Sequence, residues 1–284
     1  MSIKLKLTGG LGNQMFQFAT GYSIAKKKNI ELNLDLNWFN RRNLHNGFEL
    51  DNVFNIYSKV NFLNKPFSFK RFKLKELFIK IDRTYKTFDE PYFHYTSEID
   101  NIPEHSFLRG YWQSEIYFKE YKNEIKNIFT FNRSLNVENN NIAQDIINNK
   151  SVSIHIRRGD FLLKRNHKHQ VDLTKYYSEA IKIVKKNYTS PKFYIFTDDF
   201  DWVSKNNLIN SNYVFVNINQ GMNSFIDMQL MSLCNINILA NSSFSWWGAW
   251  LNNNNDKTIF APKNWFSDKS INTDDLIPKT WNKI

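Results

Sequence analysis

The second half of this chain alternates short apolar segments with segments of helical spacing, and this alternation constrains the fold more than any other feature. Strands are predicted over residues 151–156, 192–197, 213–217, 236–240 and 258–261. Helices are predicted over about residues 174–187, 201–207 and 223–233, and from about residue 244. Strands and helices in this order build a mostly parallel sheet with helices on both faces.

The first half opens with the same kind of unit. A strand over residues 3–8 leads into a glycine-rich loop, a helix with apolar spacing from Met15, and a second strand over residues 31–36. We therefore predict an α/β protein of two Rossmann-type lobes, with mostly parallel sheets and a cleft between them.

The two predicted lobes are residues 1–145 and residues 146–284. The asparagine-rich segment 132–150 is the predicted junction, because polar segments of this kind favour a linker. The tail, residues 262–284, has no clear element, and we expect it to pack back on the first lobe.

Composition and charge limit the class of protein. With 42% hydrophobic and 16% aromatic residues, the chain buries a core, so disorder is excluded. No apolar run approaches the roughly 20 residues of a spanning helix, and the early first strand leaves no room for a signal peptide, so we expect a cytoplasmic protein. The formal charge of +11 is compatible with nucleic acid, anionic lipid, a phosphorylated ligand or a solvated lysine-rich surface. Because no nucleic-acid-binding module is recognisable, we expect a solvated surface first and a membrane-proximal basic face second.

Two adjacent arginines follow the predicted strand over residues 151–156. Arg157 and Arg158 stand where the strand ends, and Gly159 and Asp160 form the turn after them. Ligands of open α/β sheets bind outside the carboxyl ends of the strands, and two guanidiniums at that position suit a diphosphate. The alternative is an ordinary strand that ends in solvated charges.

A run of hydroxyl residues begins the helix after the strand over residues 236–240. It comprises Ser242, Ser243 and Ser245, with Phe244 between the last two. Hydroxyl residues are good helix N-caps, and this role explains at least one of them. Backbone N–H groups and hydroxyls at a helix start also bind phosphate oxygens, so we predict that this segment lies opposite the two arginines.

The glycine-rich loop of the first lobe is a second candidate for phosphate binding. Gly9, Gly10 and Gly12 separate the first strand from its helix, and Asn13 follows them. Glycines let a ligand approach a helix N-terminus, where unpaired N–H groups favour anions. The spacing differs from the dinucleotide-binding fingerprint, so a simple tight turn is the alternative.

Three titratable residues are candidates for contact with a nucleoside or a substrate. Asp227 lies among apolar residues on a predicted helix; it is either a helix-surface charge or a carboxylate that accepts both N1–H and N2–H of guanine. His155 is predicted to point to the sheet face opposite its strand neighbours, as a core imidazole or a base contact. His169 lies in a lysine-rich loop and is either solvated or a general base.

Asp199 and Asp201 form an Asp-x-Asp sequence after the strand over residues 192–197. In metal-dependent sugar transferases such a pair holds a divalent ion on the nucleotide diphosphate. Because two arginines already neutralise a diphosphate here, we expect no metal. These acids are instead expected to cap the next helix or to touch the nucleoside.

The segment from Gly110 to Ser114 is interpreted as a turn into a helix over residues 116 to about 129. Its aromatic residues are either a platform for a sugar or part of the core. Residues 37–108 include a predicted helix near residues 71–81 and no feature that indicates a function.

Together these segments resemble the α-1,2-fucosyltransferases of glycosyltransferase family 11 over nearly the whole chain. The resemblance rests on four segments in order: residues 9–17, 110–114, 155–160 and 241–250. The third segment is also similar to the donor-site motif of α-1,6- and protein O-fucosyltransferases. The resemblance implies a GT-B-like fold, GDP-fucose as the donor substrate and no metal or other cofactor.

The resemblance also implies roles for the residues of the second lobe. Arg157 would bind the β-phosphate of GDP-fucose, with Arg158 beside it. Asp227 and His155 would read guanine. Residues 242–245, which are Ser242, Ser243, Phe244 and Ser245, would hold the diphosphate at a helix N-terminus.

In the first lobe the resemblance implies that Asn13, with Gly10 and Gly12, faces the phosphate or the fucose. Asp160 and His169 are the candidate bases, so the expected catalytic residues are these two with Arg157 and Asn13. For Asp160, a brace for an arginine is the alternative.

The expected reaction is an inverting transfer of L-fucose to the 2-hydroxyl of a glycan that ends in β-galactose, in the synthesis of an O-antigen-type surface polysaccharide. A lipid-linked acceptor is the family expectation, and the basic surface would suit peripheral contact with the inner face of the membrane. No nucleic-acid partner is expected. Two alternatives stay open: the same fold with another nucleotide-sugar donor or linkage, and a non-catalytic protein that binds glycans or nucleic acid.

Overall fold

The computed structural model describes residues 1–41, 45–62, 85–206, 208 and 212–284, without the side chains of residues 41 and 164–166. The chain forms two compact units, residues 1–132 and residues 133–284. The helix predicted near residues 71–81 lies outside the described residues. No helix in the described part of the chain is long and apolar enough to cross a membrane.

The division between the units comes earlier than residue 145, where the sequence analysis places it. Helix α5 (Val137–Ile147) lies within the second unit. Its Ala143 and Ile146 are buried in one apolar cluster with Tyr194 and Leu230. This packing attaches α5 to the second unit, so the junction lies at the start of the asparagine-rich segment.

Among the described residues, the first unit contains a five-stranded sheet. Its strands are β1 (Ser2–Lys6), β2 (Glu31–Asp35), β3 (Asn61–Phe62), β4 (Lys86–Asp89) and β5 (Ser106–Arg109). They lie in the order β3-β2-β1-β5-β4, and the pairings between them are parallel. The strand order reverses between β1 and β5. The loops that follow these two strands therefore flank the switch point, which is where ligands of such sheets bind.

The helices described in the first unit are α1 (Leu11–Lys28), α2 (Asn37–Arg41), α3 (Leu50–Phe54) and α4 (Lys122–Ile128). Helix α1 crosses the sheet so closely that a Cβ at Gly21 would lie 2.7 Å from Cδ2 of Leu5. The helix predicted over residues 116–129 is instead a 3-10 helix (Glu115–Tyr121) followed by α4. In the 3-10 segment the consecutive residues Tyr117 and Phe118 are both buried.

The second unit contains a six-stranded sheet in the part that the structure describes. Its strands are β6 (Ser151–Ile156), β7 (Lys192–Thr197), β8 (Tyr213–Val216), β9 (Ile236–Ile238), β10 (Thr258–Ala261) and β11 (Asn282–Lys283). Their order is β11-β10-β9-β6-β7-β8, and the pairings are parallel. Counted from β6, this is the Rossmann order 3-2-1-4-5-6, with its switch point between β6 and β9.

Helices cover both faces of this sheet. Besides α5 they are α6 (Thr174–Asn187), α7 (Phe200–Asn206), α8 (Phe225–Leu233) and α9 (Ser243–Trp250). Alternate residues of each strand point to opposite faces, so Ile154 and Ile156 of β6 pack with α6, while Tyr194 of β7 packs with α5 and α8. The strands and helices predicted for this half are confirmed, with ends that differ by a few residues.

The tail, residues 262–284, belongs to the second unit, and its packing on the first lobe stays a prediction. It ends in β11, which pairs with β10. The indole Nε1 of Trp246 donates a 2.8 Å hydrogen bond to the carbonyl of Leu276, and the ring of Trp281 lies 5.3 Å from that of Trp246. These contacts give the tail a defined place beside α9.

Candidate functional site

The carboxyl edge of the second sheet brings together most of the residues that the sequence analysis selects. Because the strands are parallel, the loops after β6, β7, β8 and β9 lie along one edge. These loops carry Arg157 and Arg158 after β6, Asp198 and Asp199 after β7, and Ser242 and Ser243 after β9. The arginines and the serines thus flank the switch point between β6 and β9.

Arg157 lies in this edge between two carboxylates. Its Nη2 is 2.8 Å from Oδ1 of Asp160, and its Nη1 is 2.9 Å from Oδ2 of Asp198. The side chain of Arg157 keeps 32% of its surface exposed. A guanidinium has five N–H donors, more than two ion pairs can use, so donors remain for an anionic ligand. The carboxylates hold the arginine in one orientation before any ligand binds.

Arg158 is held by contacts of its backbone, its guanidinium and the face of an aromatic ring. Its backbone N–H donates to Oδ1 of Asp198 at 2.8 Å, and its Nε lies 3.0 Å from Oδ2 of Asp199. Its guanidinium also lies 4.5 Å from the centre of the Trp202 ring, a cation–π contact. The other carboxylate oxygen of Asp199 accepts the N–H of Trp202 at 3.0 Å and so caps α7. These contacts give Arg158 a positioning role at the edge.

The two acids of the Asp-x-Asp sequence separate in the structure. Asp199 is engaged by Arg158 and by the start of α7, whereas Asp201 is exposed on that helix. No group of three or more acidic, histidine or cysteine side chains in the described residues could hold a metal ion. The sequence reasoning did not anticipate Asp198, which contacts both arginines from the neighbouring strand.

Gly159 allows Asp198 to approach both arginines. A Cβ at Gly159 would lie 2.6 Å from Oδ2 of Asp198, inside the distance that real Cβ atoms keep. Any larger residue would push away the oxygen that pairs with Arg157. The turn therefore needs a glycine because of a close approach.

His155 lies on the face predicted for it, opposite Ile154 and Ile156. Its ring centre is 5.8 Å from that of Phe244, at the start of α9. Burial, with a smaller contribution from Arg157, lowers the pKa of His155 well below its ordinary value, so the imidazole is neutral. Its Nδ1 is buried and has no hydrogen-bond partner among the described residues. A buried nitrogen of this kind is available to a ligand that enters beside Phe244.

The start of α9 divides the four predicted phosphate-binding residues into two groups. Ser242 is the N-cap and accepts the N–H of Phe244 at 3.3 Å, and Ser242, Ser243 and Phe244 are all partly exposed. Ser245 is completely buried, and its hydroxyl lies 3.3 Å from the carbonyl of Ser242. The side chain of Ser245 therefore supports the first turn of the helix from inside and does not reach the exposed edge.

His169 is fixed near Asp160 by aromatic residues. Its ring stacks on Phe161 at 4.9 Å and contacts Phe266 at 5.1 Å. Asn241 holds the backbone of the same loop by donating to the carbonyl of His169 at 3.0 Å. Burial lowers the pKa of His169, and the charge of Asp160 offsets this only in part. The imidazole is therefore neutral near pH 7 and able to accept a proton.

Asp227 lies in the first turn of α8, at the same edge of the sheet. Burial raises the pKa of its carboxyl to about 7, and a hydrogen bond from Asn219 opposes that rise. Asn219 donates from Nδ2 to Oδ1 of Asp227 at 2.8 Å. It also forms a reciprocal pair of amide hydrogen bonds, of 2.8 and 2.9 Å, with the buried Asn139 of α5. Neither asparagine was a candidate from the sequence, because the two are far apart in the chain.

The glycine-rich loop of the first unit starts α1. Gly9 has a φ of 78°, and a Cβ there would lie 2.6 Å from Nδ2 of Asn13. Gly10 and Asn13 are partly exposed, whereas Gly12 is buried. Asn13 accepts a hydrogen bond of 2.8 Å at Oδ1 from Nε2 of Gln113, in the loop after β5.

A buried acid lies at the N-terminus of α1. Glu49 accepts a hydrogen bond from the backbone of Leu11, and burial raises the pKa of its carboxyl. Its own backbone N–H donates to Oε1 of Gln14 at 2.9 Å. The N-terminus of α1 is predicted from the sequence to favour an anion. One of its backbone N–H groups, that of Leu11, thus already has an acceptor within the protein.

The fold and this edge define a Rossmann-type α/β protein with a preformed arginine-containing site at a topological switch point. The chain belongs to glycosyl transferase family 11, which it matches over residues 2–284. It is 36% identical to the alpha-1,2-colitosyltransferase of Escherichia coli, over 98% of this chain and 97% of that protein. It is 33% identical to the O-antigen biosynthesis glycosyltransferase WbnK of Escherichia coli, over 92% of this chain and 94% of that protein.

Among solved structures, the chain is similar to fucosyltransferase NodZ from Bradyrhizobium. The TM-score is 0.53 at 15% sequence identity, over 87% of this chain and 91% of that chain. At this identity the likeness concerns the fold. It confirms the predicted α/β class with two mostly parallel sheets.

Proposed function

We propose that this family 11 enzyme transfers L-fucose from GDP-β-L-fucose to the 2-hydroxyl of a glycan that ends in β-galactose. The product would be part of an O-antigen-type surface polysaccharide. The observation that carries the proposal is the Arg157 guanidinium, held by Asp160 and Asp198 at the switch point beside the N-terminus of α9. A diphosphate bound there would receive hydrogen bonds from the arginine and from the first turn of the helix.

The nucleoside half of the donor is assigned from Asp227 and His155. An ionised Asp227 would accept N1–H and N2–H of guanine, a pattern that adenine does not offer. Asn219 already binds Oδ1 of Asp227, which restricts the carboxylate to one orientation. The neutral His155, with its buried Nδ1, would contact the base or the ribose next to Phe244.

The proposed chemistry is a single displacement that inverts the anomeric configuration. The acceptor oxygen forms a bond to the anomeric carbon as the bond from that carbon to the β-phosphate oxygen breaks, and the electron pair leaves with GDP. Arg157 and the α9 N-terminus would stabilise the charge that develops on the phosphate. The hydroxyl proton would pass to His169, because Asp160 is committed to Arg157 whereas His169 is neutral.

We propose that the reaction needs no metal, since Arg157 and the N-terminus of α9 offer hydrogen-bond donors to the diphosphate and the carboxylates of Asp198 and Asp199 are engaged in ion pairs. The expected acceptor is lipid-linked. The formal charge of +11 supports peripheral contact with the anionic inner face of a membrane.

A second donor is favoured by one specific observation. The relative that is 36% identical over 98% of this chain is named as a colitosyltransferase. Colitose is fucose without its 3-hydroxyl group. A site that hydrogen-bonds this hydroxyl would reject colitose, whereas a site with an apolar wall there would accept it. An assay in which GDP-fucose and GDP-colitose compete for the enzyme therefore shows which donor it prefers.

Calorimetric titration of GDP with EDTA present tests the nucleotide and the site together. We expect micromolar binding to the wild-type enzyme and its loss in Arg157→Ala, with Asp201→Ala as a control at an exposed acid of the same sheet edge. Binding that appears only with manganese would contradict the metal-free site. Incubation with GDP-fucose or GDP-colitose and lactose, followed by NMR of the product, then identifies the sugar, the linkage and the anomeric configuration.

A further inference from the structure

The loop after β5 presents one exposed aromatic ring at the switch point of the first sheet. Tyr111 is 47% exposed, whereas its neighbours Trp112, Gln113 and Ser114 are buried. The sequence leaves two roles open for the aromatic residues of this segment, a platform for a sugar or a part of the core. In the structure these two roles fall on different residues. Trp112 is part of the core, and Tyr111 is left as an accessible ring.

A partly buried acid fixes this loop from one side. Glu90, which follows β4, accepts the backbone N–H of Tyr111 at 2.7 Å and that of Trp112 at 3.0 Å. A Cβ at Gly110 would overlap Glu90, so the carboxylate reaches these donors only because residue 110 is glycine. Trp112 adopts a φ of 57°, a conformation that is uncommon for a residue other than glycine. Such a conformation persists where the surroundings hold it in place.

Helix α1, which follows the glycine-rich loop, fixes the same segment from the other side. The buried Gln17 donates from Nε2 to the carbonyl of Gly110 at 2.9 Å and accepts the N–H of Thr8 at 2.9 Å. Gln113 donates to Asn13 at 2.8 Å. The two loops of the switch point are thus joined by side-chain amides, and Tyr111 stands on a preorganised base.

The chemistry at this position suits an uncharged ligand. At the ends of β4 and β5, Arg109 forms an ion pair with Asp89, and the carboxyl of Glu90 accepts two backbone N–H groups, so these three side chains already have partners within the protein. A sugar ring has an apolar C–H face that stacks on an aromatic ring and a rim of hydroxyls that bind amides. A tyrosine on a rigid loop loses little conformational freedom when it binds such a ring.

We propose that Tyr111 is the stacking platform for the acceptor saccharide and that the amide pair of Asn13 and Gln113 binds the hydroxyls of the same sugar. The assignment rests on the proposed function, because it takes the ligand of the first unit to be the acceptor glycan. Gln113 positions Asn13, so the loop after β5 connects acceptor binding to a residue of the glycine-rich loop.

Lactose, which ends in β-galactose, is a suitable probe. In fucosyl transfer to lactose we expect Tyr111→Ala to raise KM for lactose roughly ten-fold and Tyr111→Phe to change it less than about two-fold. The affinity for GDP should equal that of the wild type in both variants, which also verifies folding. Tyr213→Ala is the matched control, since Tyr213 is 43% exposed and lies in the second unit. An unchanged KM in Tyr111→Ala would overturn the assignment.

A second measurement keeps this test separate from that of the proposed function. If the wild-type enzyme binds GDP but transfers nothing to lactose, saturation-transfer NMR of lactose with the GDP-bound protein replaces the kinetic assay. A lactose signal that is present with the wild type and with Tyr213→Ala, and lost with Tyr111→Ala, supports the site even though the proposed reaction has failed. An equal signal with all three proteins, or no signal with the wild type, rejects it.

Discussion

Asn219 donates a hydrogen bond of 2.8 Å from its side-chain nitrogen to Oδ1 of Asp227, and the same nitrogen donates to Oδ1 of Asn139 at 2.8 Å. One amide group thus joins Asp227, in the first turn of α8, to the buried Asn139 near the start of α5. The bond to Asp227 opposes the rise in pKa that burial causes. Asn219 is therefore placed to control both the orientation and the ionisation of this carboxylate.

Removal of this amide should weaken GDP binding in a pH-dependent way. In Asn219→Ala the carboxyl of Asp227 loses a bond that favours its charged form, so its pKa rises above about 7 and the acid is mostly protonated at pH 7. We expect GDP affinity to fall roughly ten-fold at pH 7 and to recover most of that loss at pH 9. Calorimetry at both pH values measures this. The control is Asn206→Ala, at an exposed helix end; equal losses at pH 7 and pH 9 would indicate a purely structural role.

The elements that the sequence predicts correctly depend on local patterns. Strand β6 and the arginines after it are adjacent in the chain, so alternation and charge were enough to place them at a sheet edge. The pairing of Arg157 with Asp198, or of Asn219 with Asn139, depends on which strands and helices become neighbours. A single sequence does not contain that information. Ser245 shows the same limit within a local motif. The sequence shows the run of hydroxyl residues, but it does not show that Ser245 is the member whose side chain faces the interior.

Asp227→Asn should raise the stability of the protein above pH 4 and change its nucleotide preference. The pKa of Asp227 in the folded protein, about 7, lies above its ordinary value of 3.8, so the wild-type protein loses stability as the pH rises from about 4 to about 7. The neutral asparagine avoids this loss, and we expect a gain of about 1–4 kcal/mol at pH 8 that vanishes near pH 4. The asparagine would still accept N1–H through its oxygen, but it has no second acceptor for N2–H of guanine. Its NH2 group would instead donate to O2 of xanthine.

Two measurements check these effects on stability and on nucleotide preference. Thermal unfolding from pH 4 to pH 8 should show a difference in Tm that grows with pH. Calorimetry should show that Asp227→Asn binds xanthosine diphosphate better than GDP. Asp201→Asn, at an exposed acid, should change neither property. A variant that still prefers GDP would remove Asp227 from the guanine-binding site.

The packing of the tail against α9 predicts a large loss of stability in Trp281→Ala. Trp281 is 9% exposed, and its ring lies 5.3 Å from that of Trp246. Truncation of a buried tryptophan leaves a cavity, which costs about 3–5 kcal/mol. We expect a loss of about 3 kcal/mol in urea unfolding, at the lower end of this range, because Trp281 keeps 9% of its surface exposed. Val137→Ala, at a residue that is 80% exposed, is the control and should change stability by less than about 0.5 kcal/mol.

Gly159→Ala should damage the phosphate site without direct contact with a ligand. Its Cβ would lie 2.6 Å from Oδ2 of Asp198, so the carboxylate must move and its ion pair with Arg157 is disturbed. We expect kcat to fall at least ten-fold, since a preorganised donor to the leaving phosphate is misplaced, and GDP affinity to fall in parallel. Asp198→Asn keeps an acceptor for Arg158 but loses the charge, and it should reproduce part of this effect. If Gly159→Ala turns over at the wild-type rate, the ion pair does not position Arg157 for the reaction.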